Sequence, residues 1–144
     1  MNTSIFSCSI GTTNPAVPLG MEIWFDHTCV FDQVHVQESH TIRYEFNDDE
    51  GDHELKFVLK NKQSKHTTVD LDGEIISDAV LTIHNISFED IDCQYLTTKL
   101  AEYQHNFNGT GAETQQKFYG SMGCNGTVTV KFSTPVYLWL LENL

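Results

Sequence analysis

The stretch Thr127-Val128-Thr129-Val130-Lys131-Phe132 decides the fold. In an extended chain Val128, Val130 and Phe132 fall on one side, and Thr127, Thr129 and Lys131 on the other. That period of two marks a strand with one buried face. The same pattern recurs outward from it. Leu55, Phe57 and Leu59 alternate with polar neighbours in His53–Lys60, and Leu19, Met21, Ile23 and Phe25 do so in Leu19–Asp26. Ile42, Tyr44 and Phe46 repeat it in Thr41–Phe46, as do Ala79, Leu81 and Ile83 in Ala79–His84. Fainter versions run through Val30–Val36, Tyr95–Leu100 and Ala101–Phe107, so the expected count is seven or eight strands.

Between these runs lie turn signals. Asn47-Asp48-Asp49-Glu50-Gly51-Asp52 suits a hairpin loop, and Asp72-Gly73 and Asn125-Gly126 suit two-residue turns. Residues 1–18, with Pro15 and Pro18, read as an extended N-terminal arm or an irregular edge strand, and 19–144 as one domain. After Thr134 as a possible N-cap and Pro135 in the first turn, Val136–Leu144 carries good helix formers, although Val136, Tyr137 and Trp139 also suit a last strand. The expected architecture is all-β: an antiparallel, jelly-roll-like β-sandwich with a short C-terminal helix.

The chain's 144 residues suit one domain. Twenty acids against eight bases give a formal charge of −12, a field that disfavours nucleic acid and anionic lipid as partners. No apolar run approaches the ~20 residues that span a bilayer, and the N-terminus shows no signal-peptide pattern, so membrane insertion is not expected. Cys8, Cys29, Cys93 and Cys124 include no Cys-x-x-Cys pair, and packed, reduced thiols are the simplest reading. There is no Gly-x-Ser-x-Gly elbow and no phosphate-cradling loop, so the sequence points away from an enzyme.

Two groups of residues are candidates for binding. Trp24 stands on the face opposite Leu19, Met21, Ile23 and Phe25, so it is either exposed or covered by a loop. An exposed indole beside acids can stack a pyranose ring, with Tyr103 and Tyr119 as companions. Asp70 and Asp72 lie two apart, with Gly73 for a bend and Asp78 shortly after. A plain turn explains them, and a calcium site held by loop oxygens is the functional alternative.

The run from His53 through Thr67-Thr68-Val69-Asp70 to Asp78-Ala79-Val80-Leu81-Thr82-Ile83 resembles the strand order of carbohydrate-binding modules of the calcium-dependent xylan-binding type. That resemblance implies a jelly-roll sandwich, calcium on loop acids, and polysaccharide binding without catalysis. The last third of the chain carries Tyr103-Gln104-His105-Asn106-Phe107-Asn108-Gly109-Thr110-Gly111, Lys117-Phe118-Tyr119-Gly120-Ser121-Met122-Gly123-Cys124-Asn125-Gly126-Thr127 and Tyr137-Leu138-Trp139-Leu140-Leu141-Glu142-Asn143. These strings resemble small uncharacterised proteins of marine T4-like cyanophages, which implies a phage virion or the host cytoplasm as location. Two function classes follow. One is a non-enzymatic module that binds carbohydrate, with calcium as a candidate aid. The other is a virion structural or accessory subunit acting through self-association or contact with other virion proteins.

Overall fold

The computed structural model describes residues 2–143. Alternating sequence gives β1 (Thr3–Thr12), β2 (Gly20–Phe25), β3 (Thr28–Gln33), β4 (His40–Asn47) and β5 (Gly51–Lys60). A short hairpin follows, β6 (Thr67–Val69) and β7 (Ile75–Asp78), then β8 (Leu81–Phe88) and β9 (Ile91–Asp92). After helix α1 (Gln94–Leu100) come β10 (Glu102–His105), β11 (Thr114–Lys117), β12 (Ser121–Met122) and β13 (Gly126–Thr134). Helix α2 (Val136–Asn143) closes the chain, as the sequence suggests. No helix among the described residues is long and apolar enough to cross a membrane.

The fold is an antiparallel, two-sheet sandwich. Sheet A runs β12-β8-β1-β4, with β9 beside β8, and sheet B runs β11-β10-β13-β5-β2-β3. Among the described residues β6 and β7 pair only with each other. The inward residues of the two sheets meet in one aromatic-rich core. Phe6 of β1 touches Phe25 of β2 edge-on with ring centroids 5.2 Å apart, and Phe46 and Phe88 of sheet A lie against Phe132 of β13. Leu55, Phe57, Val128, Val130 and Phe132 are all buried, so the register expected for β5 and β13 holds.

Three expectations are corrected. Thr3–Thr12 is not an arm: β1 is an interior strand of sheet A, flanked by β4 and β8. Phe6, Cys8 and Ile10 are buried, and the Ser residues between them face outward. Tyr95–Leu100 is not a strand but part of α1, which buries Leu96 and Thr97. The Gln94 side chain ties that helix to β8, accepting from the Ile86 N–H and donating to the Ile83 carbonyl. Thr134 does not cap α2. Its hydroxyl donates to the Asp49 carbonyl, while the Val136 N–H is taken by the Asp48 carboxylate at 2.8 Å. The acidic loop thus supplies the anion that a helix N-terminus favours.

α2 docks on its own sandwich. Val136, Trp139 and Leu140 are buried, with Trp139 edge-on to Phe88 and Phe132, whereas Tyr137, Leu138 and Leu141 are exposed. This is the i, i+3, i+4 face expected of a helix at that position.

Candidate functional site

Because Ile23 and Phe25 point into the core, Glu22 and Trp24 must stand on the outer face of sheet B. Pairing fixes their neighbours. Trp24 lies opposite Lys56 and Glu22 opposite Val58 on β5, while on the far side of β5 Thr127 faces Val58 and Lys131 faces Glu54. Trp24 is half-buried. Its indole Nε1–H donates to Glu22 Oε1 at 2.8 Å. Glu22 Oε2 accepts from Lys60 Nζ at 2.8 Å, and Lys60 reaches Asp32 on β3 at 2.6 Å. The hydrogen bonds from Lys60 and Trp24 hold the Glu22 carboxyl below its ordinary range. This chain of contacts ties the indole to β5 and β3.

A shallow hollow of about 340 Å³ lies beside Trp24, lined by Asp26, His27, Lys56, Val58 and Thr127 as well. Asp26 occupies the β2–β3 turn with φ of 53°, a conformation that Asp tolerates better than most residues. Its carboxylate bridges to β5, accepting the Glu54 N–H at 2.9 Å and meeting His53 Nδ1 at 2.7 Å. Burial works against its charge, but the hydrogen bonds from His53 and Glu54 outweigh it and hold the carboxyl low. Beyond Asp26 a larger hollow of about 550 Å³ opens, walled by His53, Glu54, Lys131 and Trp139 among others. A third, about 240 Å³, shares Lys131 and Trp139. The three adjoin through these shared walls and form a track from Trp24 past Lys131 to the end of α2.

Asp26, His53 and Thr134 are spaced like an acid–base–hydroxyl relay, with 2.7 Å and 3.1 Å between successive partners. Thr134 is only 4% exposed, and its hydroxyl proton is committed to the Asp49 carbonyl. The arrangement pins the β2–β3 turn to β5 and β13 and presents no reachable nucleophile.

Only Trp24 of the three expected aromatics lies on this face. Tyr103 is turned into the core by its pairing opposite Val128 and is 5% exposed. Its hydroxyl donates to the Cys124 carbonyl and accepts the Cys124 N–H, and burial pushes the phenol well above its ordinary range. Tyr119 is exposed on the segment between β11 and β12, at the opposite edge of sheet B from Trp24. Asp26, His53, Lys131 and the edge of the largely buried Trp139 line these hollows without being legible as candidates in the sequence. Each comes from a different element, and no local pattern joins them.

The three candidate calcium ligands sit around the β6–β7 hairpin in two different roles. Asp70 Oδ1 accepts the N–H groups of Asp72 and Glu74, both at 2.9 Å, which is an Asx-type turn. Asp78 faces the other way. It takes Lys62 Nζ at 2.5 Å, the Thr67 hydroxyl at 2.6 Å and the Ala79 N–H at 2.9 Å. The Lys62 side chain is 1% exposed, so this is a buried ion pair at the hairpin's base. Among the described residues, no group of three His, Cys, Asp or Glu side chains is arranged to hold a metal ion. All four cysteines are free, and burial pushes the Cys8 thiol up to about 12.

Comparisons with protein families, with curated proteins and with solved structures return no match for this chain.

Proposed function

We propose that this protein binds a neutral, extended polysaccharide on the outer face of sheet B and holds it without cleaving it. The observation that carries the reading is Trp24, half-buried and tethered by Nε1 to Glu22 and through Glu22 to Lys60. A sugar ring offers an apolar C–H face to an aromatic ring and hydroxyls to the groups around it. Asp26, His27, Lys56 and Thr127, which line the hollow beside the indole, offer hydrogen-bond partners for hydroxyls. A side chain already ordered costs less to immobilise on binding, which favours affinity. The track toward Lys131 and Trp139 supplies room for further sugar units along one chain.

Charge narrows the ligand. The overall −12 repels polyanions, and the track itself is lined by Asp26, Asp52, Glu54 and Glu102 against Lys56 and Lys131, so its own field has the same sign. A neutral polymer meets no electrostatic barrier there. The test is affinity electrophoresis against soluble neutral polysaccharides (xylan, glucan, mannan, galactan). Each gel is run with calcium and with chelator, so that a contribution from the hairpin acids shows directly. Retardation by at least one polymer is expected, lost in Trp24→Ala at unchanged melting temperature. Retardation by none, or equal retardation of Trp24→Ala, overturns the reading.

A further inference from the structure

Among the described residues the strand edges of the sandwich differ sharply. β9 and β12 are two residues long and β11 is four. β3 is broken by a bulge in its pairing with β2. β4 is different: eight residues, in unbroken register with β1 from Thr3↔Asn47 to Ile10↔His40, and the last strand of sheet A on that side. Long, regular edges invite a further strand unless bulges, proline, inward charges or unmatched charges along the edge blunt them. β4 contains no proline, and its inward side carries His40, packed on Phe31, followed by Ile42, Tyr44 and Phe46.

The side chains of β4 are self-complementary in one register. Thr41, Arg43, Glu45 and Asn47 face solvent. A two-fold axis on Tyr44 sets Arg43 of each copy opposite Glu45 of the other, Thr41 opposite Asn47, and Ile42 opposite Phe46 on the core side. An axis on Arg43 or on Glu45 instead brings like charges face to face, which disfavours it. Arg43 is the chain's one arginine, and its contact at home is a loose, exposed pair with Asp90 at 3.4 Å. The geometry points to a second copy of this chain as the occupant of the β4 edge, added antiparallel about Tyr44 so that two sheets A become one continuous sheet. This is an isologous contact: the same edge serves both copies. It uses a different surface from the sugar track and stands whether or not that track binds sugar.

Sedimentation equilibrium of the full chain over a concentration series tests it, with salt enough to screen the −12 charges of each copy. The mass is expected to rise toward twice 16.4 kDa. Arg43→Glu and Glu45→Arg are each expected to weaken association by at least about tenfold, because each sets like charges opposite one another twice. The double variant Arg43→Glu/Glu45→Arg restores the pairing, and so does an equimolar mixture of the two single variants. A chain that stays monomeric at every concentration overturns the proposal and leaves the edge to some other strand. A dimer that neither single reversal weakens, or that the double variant fails to recover, overturns it as well.

Discussion

The track on sheet B and the β6–β7 hairpin hold the same kinds of residue, acids beside large apolar side chains, and they are built on opposite principles. Around Trp24 each outward side chain is placed by a strand whose alternate residues are locked in the core. Its carboxylates then reach across strands, Glu22 to Lys60 and Asp26 to His53. In the hairpin, Val69, Leu71 and Ile75 are exposed, and Asp70 spends its oxygen on its own turn. What joins the hairpin to the body is chiefly Asp78 on buried Lys62, whose ammonium also reaches the Gly123 carbonyl at 2.5 Å. Residue type alone does not make a surface. The register behind it does.

Removing core support should break the contrast most severely. Phe57, fully buried beneath Lys56 and Val58, packs on Phe6 and Phe118. Phe57→Ala is expected to cost about 3–5 kcal/mol in urea unfolding, since the lost transfer energy and the cavity add. Unchanged stability would mean that the sheet-B register does not depend on this core.

Second in size is the hairpin's anchor. Asp78→Ala leaves the Lys62 charge buried and unpaired, and about 3 kcal/mol of destabilisation is expected. Hydrogen exchange should rise in residues 67–78 before it rises near Trp24. The pH dependence follows from the same pair. Burial opposes the Asp78 charge, but Lys62, Thr67 and the Ala79 N–H outweigh it and hold the carboxyl below its unfolded value. A depressed carboxyl contributes stability that is complete above the unfolded value of about 4 and is lost as pH falls through the folded one. The acid limb of a stability–pH curve should therefore flatten in Asp78→Ala.

A smaller effect belongs to the acidic loop. Asp48→Ala removes the carboxylate from the Val136 N–H, and about 1 kcal/mol is expected by thermal melting. Because Trp139 of α2 walls the far end of the track, that variant should loosen this end while leaving Trp24 in place. Equal loosening at both ends would join two regions that the contact pattern separates.

Much of the architecture was legible because alternation survives wherever one sheet face is buried. β5, β13 and the inward side of β2 could be read from Leu, Phe, Val, Met or Ile at every second residue. β1 carries the same alternation with Ser between Phe6, Cys8 and Ile10, but the prolines after it suggested an arm. α1 is too short for a helical period to declare itself, and its contacts with β8 decide it. At the site, the outward face of Trp24 followed from local pattern, whereas the inward face of Tyr103 needed the β10–β13 pairing. Lys62 lies in a polar stretch that gives no hint of burial, and only Asp78 and Gly123 together explain it.

The central claim, that the ring of Trp24 is the platform for a neutral sugar, is tested most directly by the two indole Nε1–H resonances in a nitrogen–proton correlation spectrum. Trp24→Phe assigns them. As each soluble neutral polysaccharide is titrated in, at least one is predicted to move the Trp24 resonance saturably, with those of its neighbours His27 and Lys56, while the resonance of Tyr103's buried neighbour His105 stays fixed. A Trp24 resonance that stays in place with every polymer, or that moves only together with the core, would contradict it.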